Sequence, residues 1–425
     1  MDKTFGVIDA VAGSIEVPGD KAIAHRALIL GAMMTGSSRL HRFPAGGAVG
    51  STMHCLNALG FDVRDAGDAV EMTGNGWQTP DVATLYAGNS GTTMRLLCGA
   101  LAGKPGRFEL TGDPYLSRRP MERVAEPLRK MGANVSTSDG HAPVIVEGGR
   151  LMGATHELEI ASAQVKTAIL LSGLQAEGIT RVTEPGRSRD HTERMFKWLG
   201  ARITTGTGAV TVEGDSSFFA KPGFSLDIPG DFSSAAFFIT AACLVGRSDL
   251  EIRCVGLNPT RTGLLEALRE MGGAIEYQVE SDEIEPVGVV SVKTAALHGT
   301  IIAGDLIPRS IDELPLVALA ATQAEGQTVI ADATELRVKE SDRLEVMAKG
   351  LTALGARIAP QPDGLVIDGP TRLHGGVVDA AGDHRMALLF ALAGCIASEP
   401  VTVTGWECVS VSYPGFEADL AQLVS

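Results

Sequence analysis

Apolar residues recur at helical spacing in several stretches of this chain, and the stretches end alike: LNALGFDV, LRKMGANV, FKWLGARI, LREMGGAI and LTALGARI. Each predicts an amphipathic helix closed by a glycine that releases the chain into an apolar strand start. The glycines are Gly60, Gly132, Gly200, Gly272 and Gly355, at intervals of roughly 70 residues. A residue just past the last helical turn adopts the left-handed conformation, which glycine reaches without a Cβ penalty. The segment LAQLVS reads as the opening of a sixth copy. Alternating or apolar stretches such as GSIEV, APVIVEGG, GAVTVEGD, GVVSVKT and GLVIDG predict strands between the helices. Each unit therefore reads strand, helix, strand, helix, strands. One Leu-x-x-Leu-Gly ending is commonplace, but five at similar spacing define a repeat. Solenoid repeats run to about 20–50 residues, so units this long favour two globular α/β halves of three units each. The join is expected near Asp227-Ile228-Pro229-Gly230-Asp231.

The longest apolar runs, Ala235 to Gly246 and Met386 to Ala397, fall short of the about 20 residues that span a bilayer and read as buried core helices. The 425 residues are 44% hydrophobic and 20% charged, an ordinary globular composition. Six cysteines with no C-x-x-C pair fit a reducing compartment. The opening MDKTFGVIDA carries acids early and no apolar signal core, which predicts a cytoplasmic protein. The net charge of −15 argues against nucleic-acid and anionic-membrane partners, and leaves small anions wherever basic residues are concentrated.

The P-loop, dinucleotide, zincin and nucleophile-elbow signatures are absent. Instead, polar turns carrying cations lead into apolar helices, a combination suited to anions because helix N-termini present free N–H groups. Lys21 and Arg26 flank the helix start in PGDKAIAHR; a solvated first turn is the plain alternative. Gly88-Asn89-Ser90-Gly91-Thr92-Thr93-Met94-Arg95 suits a backbone anion nest or a capped loop. Arg118 and Arg119 stand together before a helix, as carboxylate or phosphate ligands or as surface ion pairs. Ser162, Ala163, Gln164 and Lys166 open another apolar helix with a hydroxyl, an amide and an ammonium, suited to a polyhydroxylated anion. Ser188 to Glu193 reads equally well as a further ligand loop or a helix cap. In Ile311-Asp312-Glu313-Leu314-Pro315, two carboxylates sit among apolar residues where burial would favour a general base. Lys339 and Arg343, four apart, are expected on one helix face with Glu340 adjacent, by default on an exposed, salt-bridged helix. Asp383-His384-Arg385 stands at the mouth of a buried helix, which packing alone does not explain.

Taken in order, NSGTTMR, RRPM, SAQVK, RDHTE, PGDFSSAAF, IDELP, LRVKESDR and DHRMA resemble the 5-enolpyruvylshikimate-3-phosphate synthases, the 3-phosphoshikimate 1-carboxyvinyltransferases, over essentially the whole chain. The resemblance implies two similar lobes, each of three βαβαββ units, with the active site in the interdomain cleft. It also implies that the N-terminal strand belongs to the C-terminal lobe, giving expected domains of 20–229 and of 1–19 plus 230–425. The implied reaction moves the enolpyruvyl group of phosphoenolpyruvate to the 5-hydroxyl of shikimate 3-phosphate, by addition and elimination, on the way to chorismate and the aromatic amino acids. Carried over by position, Lys21, Arg26, Ser162, Ala163, Gln164, Ser188, Asp312 and Lys339 would contact shikimate 3-phosphate. Lys21, Gly91, Arg119, Gln164, Arg343 and Arg385 would hold phosphoenolpyruvate. Asp312 would take the hydroxyl proton and Glu340 protonate the methylene, with Lys21 and His384 assisting. A monomer needing no cofactor or metal is implied.

Where the family usually reads DKSxSHR this chain has Ala22 and Ala24, and an acid common near Ser51 is missing. Loss of one neutral donor at Ala22 would cost about 0.5 to 1.5 kcal/mol of acceptor binding. The segment Val411-Ser412-Tyr413-Pro414 lacks a lysine that some members carry. The changes leave open a related cyclic alcohol as acceptor, or a non-catalytic anion-binding homologue. The sister enzymes acting on UDP-N-acetylglucosamine carry a cysteine in a loop that here, from Asp113 to Pro120, has none. The resemblance further implies competition by glyphosate at the phosphoenolpyruvate site, admitted by Gly91.

Overall fold

The computed structural model describes residues 1–206 and 208–424. The chain divides into two compact units, one of Gly19–Ile228 and one of Met1–Pro18 with Pro229–Ser425. Five four-stranded sheets and one three-stranded sheet are formed among the described residues.

The contiguous unit contains three sheets of one plan. In the middle one, Val82–Tyr86 runs parallel to Gly106–Thr111, which pairs antiparallel with His141–Gly148, itself antiparallel to Asn134–Ser138. Alternation produces these strands: Ala142, Val144 and Val146 turn inward while their neighbours do not. The parallel crossover is a buried helix, Gly91–Ala102, and the next connection is an amphipathic helix, Glu122–Lys130, that buries Val124, Ala125 and Leu128. The same order returns around Ala163–Gly173 and His191–Trp198. In the first sheet, Thr35–His41 takes its parallel neighbour from Ser225–Asp227 at the far end of the unit.

The second unit repeats the plan around Phe232–Leu244, Leu314–Gln323 and His384–Ile396. The two long apolar runs are thus core helices. Here Ala12–Glu16 runs parallel to Asp249–Gly256, and Asp2–Phe5 pairs antiparallel with Val401–Thr404 to complete the three-stranded sheet. The last repeat ends in the helix Phe416–Leu423; of the expected sixth copy, Ser425 lies outside the described residues.

All five repeat glycines have positive φ, from 74° at Gly200 to 108° at Gly132. At each, two turn bonds satisfy the helix's last carbonyls: Gly60 N–H donates to Asn57 O (3.0 Å) and Phe61 N–H to Leu56 O (3.1 Å), and the pattern recurs at Gly132, Gly200, Gly272 and Gly355. The apolar Leu-x-x-Leu face buries the helix, and the glycine turns the chain back to the sheet. Glycine serves a different purpose at Gly99, where a Cβ would stand 2.2 Å from Ala168 O, so two buried helices meet with backbone in contact.

Candidate active site

Each unit gathers the starts of its three buried helices, and all but the start of Leu314–Gln323 are capped by a side chain. In the contiguous unit the caps are Asp20, accepting from Ala22 N (2.7 Å) and Ile23 N (3.0 Å), Ser90 from Thr93 N (3.2 Å), and Ser162 from Val165 N (3.5 Å). None of these helices has an acid in its first turn, so their partial positive ends add to the nearby cations. Lys21 is the first helical residue after Asp20, and Ala163 the first after Ser162.

Gln164 ties two of the helix starts together. Its Nε2 donates to Thr92 Oγ1 (2.9 Å) and its Oε1 accepts from Arg95 Nη1 (2.5 Å). Of the adjacent arginines, Arg118 is exposed and Arg119 turns inward, donating from Nη2 to Asn89 Oδ1 (3.1 Å). A Cβ at Gly91 would stand 2.8 Å from Arg119 Nη1 and 3.1 Å from Arg95 Nη1, so glycine here makes room for two guanidiniums. In the sequence Arg95 only closes the Gly88–Arg95 nest, without a role of its own. Its position four after Gly91 on the same helix was the available signal. A buried hydroxyl chain runs from His25 Nδ1 to Thr52 Oγ1, Thr93 Oγ1 and Ser90 Oγ, each link 2.7 Å. Burial, with Arg26 and Lys21 nearby, lowers the His25 pKa to about 3, so its ring is neutral at pH 7.

Arg26 is buried, and its guanidinium donates to Thr192 Oγ1 (2.8 Å), Ala22 O (2.7 Å) and Thr167 Oγ1 (2.8 Å). Thr192 comes from the RDHTE segment. The capping alternative for that segment is not realised, because Asp190 makes no side-chain cap bond; Thr192 and Glu193 face the core instead. Lys166 also departs from expectation. Its ammonium is buried between Glu184 (2.7 Å) and Glu193 (2.8 Å) rather than standing at the helix mouth. Ser188 lies over this triad, its N–H donating to Glu184 Oε1 (3.1 Å) and its O accepting from Lys166 Nζ (3.4 Å). The Ser188 hydroxyl is buried without a hydrogen-bond partner among the described residues, a spare donor and acceptor held in place.

In the other unit the central group is Arg343, wholly buried. It donates from Nε to Asp383 Oδ2 (2.8 Å), from Nη1 to Asp312 Oδ1 (3.2 Å) and from Nη2 to Glu340 Oε2 (2.6 Å). Burial works against the charge, but Asp383, Glu340 and Asp312 together raise the Arg343 pKa. Arg385 donates to Asp312 O (3.2 Å) and pairs with Asp312 Oδ2 (3.4 Å). Two guanidiniums therefore flank Asp312, in place of the apolar surroundings expected from its neighbours. Lys339 and Arg343 do not share a helix face. Asp342 caps a new helix, Arg343–Ala353, by accepting from Glu345 N (3.1 Å), and Lys339 lies in a bend after the short turn Thr334–Val338. Lys339 pairs with Glu335 (3.6 Å); burial lowers its pKa, against the pull of Asp312 and Glu335. His384 opens the helix that Asp383 caps through Arg385 N (2.9 Å), and burial lowers its pKa to about 4, with Asp383 opposing. It is neutral at pH 7. Each unit thus carries fixed cations at helix starts, and one of them adds three carboxylates, Asp312, Glu340 and Asp383, around a single guanidinium, an arrangement suited to small anions and to proton transfers.

Residues 7–420 match the family described as EPSP synthase (3-phosphoshikimate 1-carboxyvinyltransferase). The 3-phosphoshikimate 1-carboxyvinyltransferase of Bacillus licheniformis is 45% identical over 424 residues, covering 98% of each chain. That of Geobacillus kaustophilus is 46% identical over 424 residues, covering 98% of this chain and 99% of its own. Among solved structures, an EPSP synthase from Acinetobacter baumannii superposes with a TM-score of 0.86 at 39% identity, covering 99% of this chain and 98% of its own.

Proposed function

The chain belongs to the EPSP synthase (3-phosphoshikimate 1-carboxyvinyltransferase) family, and on that premise we propose how its helix-start clusters carry out the family's reaction. It transfers the enolpyruvyl group of phosphoenolpyruvate to the 5-hydroxyl of shikimate 3-phosphate and releases phosphate, a step of the shikimate pathway.

The observation that carries the assignment of roles is the pair of carboxylates on Arg343, with Asp312 at 3.2 Å and Glu340 at 2.6 Å. One guanidinium holds these two acids apart, and the addition needs two proton transfers, one at each. In the addition, the 5-hydroxyl oxygen bonds to C2 of phosphoenolpyruvate, its proton passes to Asp312, and Glu340 delivers a proton to the C3 methylene, making a methyl. In the elimination, the C2–O bond to phosphate breaks and the methyl returns a proton to a carboxylate, restoring the double bond. His384, neutral at pH 7, and Lys21 assist in this reading, Lys21 as a fixed charge.

Lys21, Gly91, Arg119, Gln164, Arg343 and Arg385 hold phosphoenolpyruvate in this reading. Lys21, Arg26, Ser162, Ala163, Gln164, Ser188, Asp312 and Lys339 contact shikimate 3-phosphate. The spare Ser188 hydroxyl supports the second set. Arg26 contributes to shikimate 3-phosphate in this reading while its guanidinium also donates to Thr192, Ala22 and Thr167. We place the reaction in the cytoplasm, with a monomeric enzyme. All six cysteines are unpaired, and among the described residues no helix is long and apolar enough to cross a membrane.

The test is phosphate release with phosphoenolpyruvate and shikimate 3-phosphate, in the wild type and in Asp312→Asn. The amide keeps the size of the carboxylate but accepts no proton, so turnover is expected to vanish while the fold persists. A folded Asn variant with near-wild-type turnover would remove Asp312 as the base.

A further inference from the structure

The segment PGDFSSAAF has no role in the site as described, yet its polar residues are buried to within a few per cent. Asp231 caps the helix Phe232–Leu244 by accepting from Ser233 N (2.9 Å). Ser233 Oγ donates to Glu313 Oε1 (2.5 Å) and accepts from Arg261 Nη2 (2.7 Å) and Arg385 Nη2 (3.3 Å). A serine hydroxyl has one proton and two acceptor sites, so these three partners saturate it. Neither guanidinium can accept a hydrogen bond, so the hydroxyl proton has to face Glu313, and the arrangement has one orientation only.

Arg261, itself buried, reaches Asp231 Oδ1 (3.1 Å) from the same Nη2 that meets Ser233. Glu313 starts the helix Leu314–Gln323 and is fully buried; its Oε1 lies 3.7 Å from Arg385 Nη1. Its second oxygen has no hydrogen-bond partner among the described residues, a cost that packing by itself would not retain. The starts of all three core helices of this unit therefore meet on one hydroxyl. Arg385 is held from two sides, by Ser233 at Nη2 and by Asp312 O at Nη1 (3.2 Å).

We propose that Ser233, with Glu313 and Arg261, is the positioning assembly for Arg385, fixing where that guanidinium meets phosphoenolpyruvate. The proposal rests on the reading of Arg385 as a phosphoenolpyruvate ligand. None of the three need touch substrate. They act by removing the rotational freedom of an arginine whose charge is useful only at one place.

The experiment measures KM for each substrate separately, with kcat, in Ser233→Ala, Ser233→Cys, Ser233→Thr and Arg385→Ala. Ser233→Ala is expected to raise KM for phosphoenolpyruvate by about tenfold or more and to leave KM for shikimate 3-phosphate within about twofold, since hydrogen bonds to charged groups are the strong ones. Ser233→Thr, which keeps the hydroxyl, restores most of the loss. If the alanine variant does not fold, the cysteine variant decides, because a thiol keeps the shape of the side chain and loses most of the hydrogen bonding. An unchanged phosphoenolpyruvate KM in the folded variant, an equal rise for both substrates, or no recovery with threonine would overturn the proposal while Arg385→Ala still raised the phosphoenolpyruvate KM. If Arg385→Ala itself left that KM unchanged, the underlying assignment of Arg385 would fall, and the proposal with it.

Discussion

Replacing Gly91 by alanine tests the cation cluster of the contiguous unit directly. The backbone there needs no glycine conformation, since Gly91 is the first residue of a helix and is absent from the positive-φ positions. The effect of a methyl is therefore one of space. Its carbon would sit 2.8 Å from Arg119 Nη1, about 0.6 Å short of ordinary van der Waals contact, and 3.1 Å from Arg95 Nη1. The guanidinium of Arg119 has to give way, and its 3.1 Å bond to Asn89 leaves little slack before it breaks. Overpacking of this kind costs about 1–3 kcal/mol, and the flexible end of an arginine places the cost near the lower limit. Phosphoenolpyruvate KM is expected to rise about five- to tenfold, and glyphosate, a slightly longer occupant of the same place, to weaken by about 1–3 kcal/mol. The assay is initial-rate inhibition at several phosphoenolpyruvate concentrations in wild type, Gly91→Ala, Arg119→Ala and the double variant. With Arg119 truncated, the methyl loses its main obstacle, so its remaining effect on phosphoenolpyruvate KM is expected below about 0.5 kcal/mol. If Gly91→Ala multiplied the KM by the same factor in both backgrounds, the methyl would not act through Arg119. Insensitivity of the wild type to glyphosate would show that Gly91 alone does not admit it.

Lys166→Met is expected to lower unfolding free energy by about 3–5 kcal/mol, because Glu184 and Glu193 would lose the ammonium that compensates them in a buried place; denaturant titration measures it, and a loss under about 1 kcal/mol would contradict the triad. His25 is held neutral, with its pKa lowered to about 3 against an ordinary 6.5. The unfolded chain takes up that proton first as pH falls, so the contribution is complete above the ordinary value and is lost progressively toward the folded one. Between pH 7.5 and pH 5 this histidine alone accounts for a fall of about 2 kcal/mol, which His25→Asn would remove from the pH dependence; an identical dependence in the variant would refute it.

The repeat was readable because its signal is local. A helix face and the glycine that ends it lie within eight residues, and the five glycines have the conformation that pattern demands. Cations before apolar helices were readable for the same reason. Pairing across the fold was not. Nothing next to Lys166 in sequence announces Glu184 and Glu193, and the spacing of Lys339 and Arg343 suits a helix as well as the turn that Asp342 imposes. Arg118 and Arg119 are alike on paper, and only the short turn Leu116–Arg118 before Arg119 decides which faces inward. Arg261 carries no local mark at all. Its function comes from a serine 28 residues away.

The placement of the first strands orders the events of synthesis. Residues 19–228 form a unit whose strands all lie within one continuous stretch, so it can close as soon as that stretch has left the ribosome. The strands that precede it have no such option. Val11 waits for Ser248, 237 residues later, and Thr4 for Thr402, 398 residues later. Residues 1–18 therefore stay an unpaired edge until their partners are made, and the unit they complete is later than the contiguous one to become cooperative. A circular permutant that begins at residue 19 and carries residues 1–18 after residue 425 would bring Thr4 close in sequence to Thr402, while Val11 would still lie far from Ser248. Its refolding should gain in rate while the finished structure stays the same.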